Sequence, residues 1–248
     1  MKNNDPNERR GPGWRDLGVQ RKTQPDLVSC GPTSLGMVLE SLGTSFSTHR
    51  LREITEVNLD GGTLGVNLAL VAQKLGHQAV MHCYNPRVFD PTWVKLSNFQ
   101  LVEKLRQSEH VATSVKMKKT LGAYRQFLIN EGKICFAELT SELLVRLLDS
   151  GLPVLCGLSS TYLYQCSREN PITGVDDDVR GEPAGHFVVL SGYQGHGARF
   201  LVVDPYPEVE TDPRGRCIVE AHRLINSILL GVLTYDAVLL QIQHKWRF

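Results

Sequence analysis

The hydrophobic period of this chain changes near residue 151, and that change confines it to one class of fold. Before it, apolar residues recur at helical spacing. Leu35, Val38, Leu39 and Leu42 lie on one face of a helix opened by Gly31-Pro32 and closed by Gly43. Pro32 suits a first helical turn, where its missing N–H costs nothing. Thr63 to Leu75 repeats the pattern through Val66, Leu70 and Val71 and stops at Gly76. Helical patterns recur near Pro91 to Gln107 and Thr120 to Asn130, and Thr140 or Ser141 caps a further one, Glu142 to Asp149, that ends at Gly151. After it, Pro153 to Ser159, His186 to Tyr193, Arg199 to Asp204 and Tyr235 to Gln243 are short, β-branched and bounded by Gly or Pro, which predicts strands. A helix around Val219 to Leu229 separates the last two. Helices first and a mostly antiparallel sheet later is the α+β pattern.

With 248 residues, 42% of them apolar, the chain can bury a substantial core. The polar, Pro- and Gly-rich run at 1–18 predicts a mobile tail, followed by one domain over 19–248. Lys and Arg number 27 against 26 Asp and Glu, a net charge of +1, so there is no electrostatic case for nucleic acid or an anionic membrane. Met1 to Trp14 lacks the apolar core of a signal peptide, and no run approaches the ~20 apolar residues of a membrane span. A reducing cytoplasm is therefore the expected compartment. No cofactor or metal is expected. The glycine-rich phosphate loops of nucleotide sites are missing, and His77, His82 and Cys83 have no fourth ligand at metal spacing. Asp176-Asp177-Asp178 lacks EF-hand spacing and reads as a solvated acidic loop, placed near enough to His186 to select cationic substrates.

Six cysteines (Cys30, Cys83, Cys135, Cys156, Cys166, Cys217) are scattered without a CxxC pair, which excludes a disulfide framework and a structural zinc site. Most read as small buried hydrophobes. Cys30 differs by its place at the start of a predicted helix, where unpaired N–H groups and the positive dipole end favour a thiolate. An unperturbed thiol, with a pKa near ~8.5, is only a few per cent ionised at neutral pH, so a nucleophilic cysteine needs such a position. Gln24 lies upstream in the entering loop. A side-chain amide beside the nucleophile's own N–H can bind a developing oxyanion.

His186 begins one strand, Asp204 ends the next, and the short turn Gln194 to Ala198 makes the two a hairpin. If the turn centres on residue 196, residue 188 faces 204 and 186 faces 206. His186 and Asp204 are then diagonal neighbours on one face. Centring between 195 and 196 puts them on opposite faces, and a bulge at Gly195 or Gly197 is a further route. The residues leave these registers open. A carboxylate beside the imidazole would hold its tautomer and stabilise the imidazolium.

Gln24, Cys30-Gly31-Pro32, then Gly185-His186-Phe187-Val188-Val189-Leu190-Ser191-Gly192-Tyr193, then Val203-Asp204-Pro205 together resemble the bacteriocin leader (double-glycine) peptidases, a branch of the papain-like superfamily. Gly61-Gly62-Thr63-Leu64-Gly65 before a helix and Leu75-Gly76 after it extend the likeness. The resemblance implies a papain-like two-lobed fold, with a helical N-terminal lobe and a C-terminal, mostly antiparallel sheet. It implies Cys30 as nucleophile on the first helix, His186 as base and Asp204 as its orienting carboxylate. Gln24 and the Cys30 N–H would form the oxyanion hole. No transporter segments follow, so the exported-peptide substrate of transporter-linked members is not carried over. Insertions at 84–121 and 165–185 adjoin the cleft. The expected function is a thiol-dependent peptidase or amidase acting on a peptide or amide bond through an acyl-enzyme on Cys30. An acyltransferase using the same site, or a non-catalytic peptide-binding module, is the alternative. A module that only binds need not keep nucleophile and base together, which disfavours the last.

Overall fold

The helix-forming stretches of the first half bury one stripe each, and the strands they cover come from both halves of the chain. The computed structural model describes residues 13–57, 62–212, 215–234 and 236–245. Its helices are α1 (Cys30–Ser41), α2 (Thr48–Ile54), α3 (Gly65–Lys74), α4 (Asn98–Val111), α5 (Val115–Ile129), α6 (Ser141–Asp149), α7 (Ser160–Tyr164) and α8 (Ala221–Leu230). Its strands are β1 (Trp14–Asp16), β2 (His77–Cys83), β3 (Lys133–Cys135), β4 (Val154–Ser159), β5 (Gly185–Gln194), β6 (Arg199–Val203), β7 (Arg216–Glu220) and β8 (Val238–His244). Side-chain oxygens start several helices by accepting an otherwise orphaned N–H. Ser97 and Gln100 form a reciprocal capping box on α4, and Thr140 caps α6.

The strands make one sheet in the order β3-β2-β8-β4-β5-β6-β7, antiparallel except for β2 with β3. β1 pairs with the far end of β5, past the point where β4 stops. Both faces of the sheet are buried. Phe187, Val189, Val203 and Val238 belong to a core completed by α1 to α5, while Val188, Leu190, Val202 and Leu239 belong to a second core beneath α6 and α8. The fold is α+β and papain-like, with its helices divided between the two faces.

The four expected strands are β4, β5, β6 and β8; Tyr235 of the last, and Gly61 of the glycine motif, lie outside the described residues. β2, β3, β7 and α2 were not expected. Val219 lies in β7 rather than in the following helix, and Pro91 to Gln107 divides into a 3-10 turn at Pro91–Lys95 and α4. The mobile tail expected over 1–18 is ordered in its last part, because β1 pairs with β5 and buries Asp16. Residues 1–12 lie outside the described residues. Among those described, no helix is long and apolar enough to cross a membrane.

Candidate active site

The loop before α1 is folded by one carboxylate. Asp26 Oδ1 accepts from the Val28 N–H at 3.1 Å and the Ser29 hydroxyl at 2.7 Å, and Arg52 of α2 pairs with the other oxygen. This turn makes Cys30 the first residue of α1. Gly31 to Leu39 are all buried, so the helix is embedded in the core, and the Ser34 hydroxyl ties it to β5 by donating to the Phe187 carbonyl at 3.0 Å. Gly31 permits this approach. A methyl group there would lie 2.5 Å from Thr63 Cγ2 and 3.3 Å from the Phe187 ring.

The open question of the hairpin is resolved by a bulge, at a residue other than the two expected. Near the turn, Gln194 faces Arg199 and Gly192 faces Leu201, but beyond Ser191 the pairs become Leu190 with Val202 and Val189 with Val203. Ser191 is the extra residue. Continued past Val189–Val203, the second register sets 188 opposite 204 and, two residues further, 186 opposite 206. His186 and Asp204 thereby share a face, and His186 Nε2 lies 2.8 Å from Asp204 Oδ1. With Nε2 so engaged, Nδ1 is the ring nitrogen left for the Cys30 sulfur, which lies near enough to the imidazole to favour its protonated form. Burial by itself would lower the pKa of His186. The Asp204 carboxylate and the Cys30 sulfur more than offset it and raise the group to about 10. Asp204 is fully buried, which opposes its ionisation, yet its pKa is lowered by His186 and by its hydrogen bonds.

Burial pushes up the thiols of Cys83, to about 11, of Cys217, to about 12, and of Cys135, Cys156 and Cys166, which makes them poor nucleophiles.

The profile of the Peptidase_C39 like family matches residues 16–217. The chain belongs to that family. Xylellain, a cysteine protease from Xylella fastidiosa, shares its fold at a TM-score of 0.51 and 15% identity, over 95% of this chain and 87% of its own. The peptidase domain of Streptococcus ComA, a bi-functional ABC transporter of a quorum-sensing pathway, aligns at 14% identity over 92% of this chain and 99% of its own, with a TM-score of 0.46. A double glycine motif protease from an AMS/PCAT transporter, solved with its leader peptide, aligns at 15% identity over 93% and 94%, with a TM-score of 0.45. No curated protein matches the chain.

In this member of the Peptidase_C39 like family, Gln24 is buried beside the site. Its backbone N–H donates to the Pro205 carbonyl at 2.8 Å, and its side-chain Nε2 donates to the Asp26 carbonyl at 2.8 Å. It lines the same cavity as His186. Sequence reasoning missed two residues that hold Asp204, one at its carboxylate and one at its backbone carbonyl. The Tyr164 hydroxyl, at the end of α7, donates to Asp204 Oδ2, and burial together with that carboxylate holds its pKa far above the ordinary value, so it remains a donor. Arg21 Nε donates to the Asp204 carbonyl at 2.7 Å, and the Arg21 guanidinium also binds the Tyr206 carbonyl. Tyr164 belongs to no motif, and its only signal was its place just after a predicted strand.

Two cavities flank the pair. One of about 410 Å³ is lined by His186, Gln24, Tyr164, Glu169, Asp176 and Glu208. The other, about 370 Å³, includes Cys30, Thr63, Lys116, Glu182 and Leu233. Leu27, Glu169, Ala184 and Gly185 line both. The 165–185 insertion thus forms wall on both sides of the site. Of the 84–121 insertion, Lys116 reaches the second cavity.

Proposed function

We propose that this chain is a cysteine peptidase that cleaves a peptide or amide bond through an acyl-enzyme on Cys30. The observation that carries the reading is the His186–Asp204 hydrogen bond with the Cys30 side chain beside the imidazole, set between two cavities. With the Cys30 proton already held on His186 Nδ1, the sulfur attacks as a thiolate and forms a bond to the substrate carbonyl carbon. The Cys30 N–H, at the start of α1, and the second hydrogen of the Gln24 NH₂ stabilise the oxyanion. The C–N bond breaks as His186 returns its proton to the leaving amine. Water, deprotonated by the same imidazole, then hydrolyses the thioester and regenerates the thiol. Asp204 stays ionised and keeps the ring in place.

Acid–base chemistry also gives the cleft a direction. The leaving amine must lie on the His186 side, so the cavity lined by His186 without Cys30 takes the amine portion of the substrate. The cavity containing Cys30 takes the acyl portion. Transfer to an amine would use the same site, and aminolysis products formed from an acyl donor would reveal it.

Iodoacetamide labelling near pH 6 tests the reading. Rapid alkylation confined to Cys30, and lost in His186→Ala, is the expected result, together with a Cys30-linked acyl adduct by mass spectrometry. Labelling no faster than free cysteine would move the chain to the non-catalytic class.

A further inference from the structure

We infer that Asp16, on a strand remote in sequence from both His186 and Asp204, is a positioning residue that holds His186 on the face of Asp204. The inference rests on the peptidase reading and adds to it a structural determinant of the imidazole's place.

The hydrophobic pattern of β5 does not specify its register. Phe187, Val188, Val189 and Leu190 are all at most 2% exposed, two toward each core. A shift of one residue would exchange faces while still burying four apolar side chains, so alternation exerts little control here. The consequence for chemistry is large. If the pairing seen near the turn, Gly192 with Leu201, ran on without a bulge, 189 would face 204 and 186 would face 207. His186 and Asp204 would then project from opposite faces.

What distinguishes the two registers is the extra residue, and that residue is held by β1. The Ser191 hydroxyl donates to Asp16 Oδ1 at 2.6 Å, and the Ser191 carbonyl accepts the Leu17 N–H at 2.7 Å. Asp16 is itself fixed. Its Oδ1 also accepts the Gly18 N–H at 2.9 Å, and its Oδ2 lies 3.0 Å from Arg216 Nε on β7, with the two side chains 0% and 3% exposed. Arg216 in turn donates to the Val19 carbonyl at 3.3 Å. β1 can lie this close because position 192 is glycine; a Cβ there would sit 2.0 Å from the Arg15 carbonyl oxygen. A buried ion pair of this kind adds little net stability, and fixing a register is its best-attested use.

The bulge supplies its own control. Deleting Ser191 makes Leu190–Val202 and Gly192–Leu201 consecutive rungs of a regular ladder, which leaves His186 on the face of Asp204 with no bulge to hold. Asp16 should then no longer matter. In the full chain, Asp16→Asn is expected to slow Cys30 alkylation at pH 6 and peptide kcat by about tenfold or more, with KM little changed. Deleting Ser191 in that background should return both to within about threefold of the deletion alone, whereas a merely structural role for Asp16 would give additive losses. A second readout is the low-field proton of the His186–Asp204 hydrogen bond in NMR, lost in Asp16→Asn and regained on deletion. That resonance does not depend on turnover, so it tests the positioning even if the wild-type thiol proves unreactive and the peptidase reading fails. Folded Asp16→Asn with the parental resonance and rates, or a double variant no better than Asp16→Asn, would overturn the inference. If Asp16→Asn does not fold, Ser191→Ala removes only the hydroxyl contact. It should weaken the same resonance, and an unchanged spectrum refutes the role.

Discussion

Replacing Asp204 by Asn removes one charge from a fully buried position while keeping the side chain's shape. Holding a proton on His186 up to about 10, against the ordinary 6.5, requires the Asp204 and Cys30 contacts to overcome burial and still favour the imidazolium. At about 1.4 kcal/mol per tenfold, the net preference is roughly 4–5 kcal/mol, and the two contacts together supply more than that because they also offset burial. If the carboxylate supplies half or more, Asp204→Asn lowers the imidazolium preference by roughly 2–3 kcal/mol, about 30- to 100-fold. Burial is then opposed only by the Cys30 contact, and the ring titrates at lower pH. The assay is the pH profile of Cys30 alkylation from pH 5 to 9, paired with kcat/KM on a peptide. The acid-side reactivity should disappear, and kcat/KM should fall by about 10²–10⁴ with little change in KM. Stability gives an independent check. Because the folded-state pKa of His186 is raised, its contribution is fully present below the unfolded value of 6.5 and is lost as pH rises toward about 10. Wild-type Tm should therefore decline more steeply than that of Asp204→Asn as pH rises from 6.5 toward 10. A variant that keeps wild-type alkylation at pH 6 and kcat/KM within a small factor refutes the reasoning.

Tyr164→Phe deprives Asp204 Oδ2 of its phenolic donor; leaving that oxygen unpaired should lower kcat by about tenfold, with KM little changed, as steady-state kinetics would show. Gly31→Ala forces a methyl to 2.5 Å from Thr63 Cγ2, so overpacking should destabilise the protein by about 1–3 kcal/mol in urea unfolding; a stability equal to wild type would refute the close approach. Glu169, Asp176 and Glu208 line the cavity assigned to the leaving amine, so substrates with Lys or Arg after the scissile bond should be favoured over those with Glu. That preference should shrink between 0.1 and ~1 M salt as the Debye length falls to about 3 Å. Equal kcat/KM for charge-reversed peptides at low salt refutes it.

The segments that carry the proposed chemistry were the most legible part of the chain. Cys30 opens α1 where Gly31-Pro32 placed a helix start, and the His186 and Asp204 strands form the expected hairpin. Local pattern failed where an element owes its structure to its neighbours. β2 carries His77, Gln78 and His82 among its apolar residues, and β7 begins and ends with the charged Arg216 and Glu220. Neither reads as a strand until β8 and β6 lie beside it. β1 is three residues long and has no strand propensity that could be seen without β5. The bulge was anticipated as a possibility but assigned to the glycines of the turn. Its position at Ser191 is determined by Asp16, 175 residues away along the chain, and separation of that kind leaves no local trace. Tyr164, whose partner Asp204 lies 40 residues on, had no local signal beyond its place after a predicted strand.

The place of β8 has a consequence for a molecule still being made. This strand comes after all the others in the chain, yet it lies between β2 and β4, so during synthesis the nucleophile's half and the histidine's half wait for it before one continuous sheet can close. Pairings over such separations form late. A nascent chain on the ribosome would thus join its two halves only through direct contacts such as that of α1 with β5, and the sheet would become continuous once translation had passed that strand.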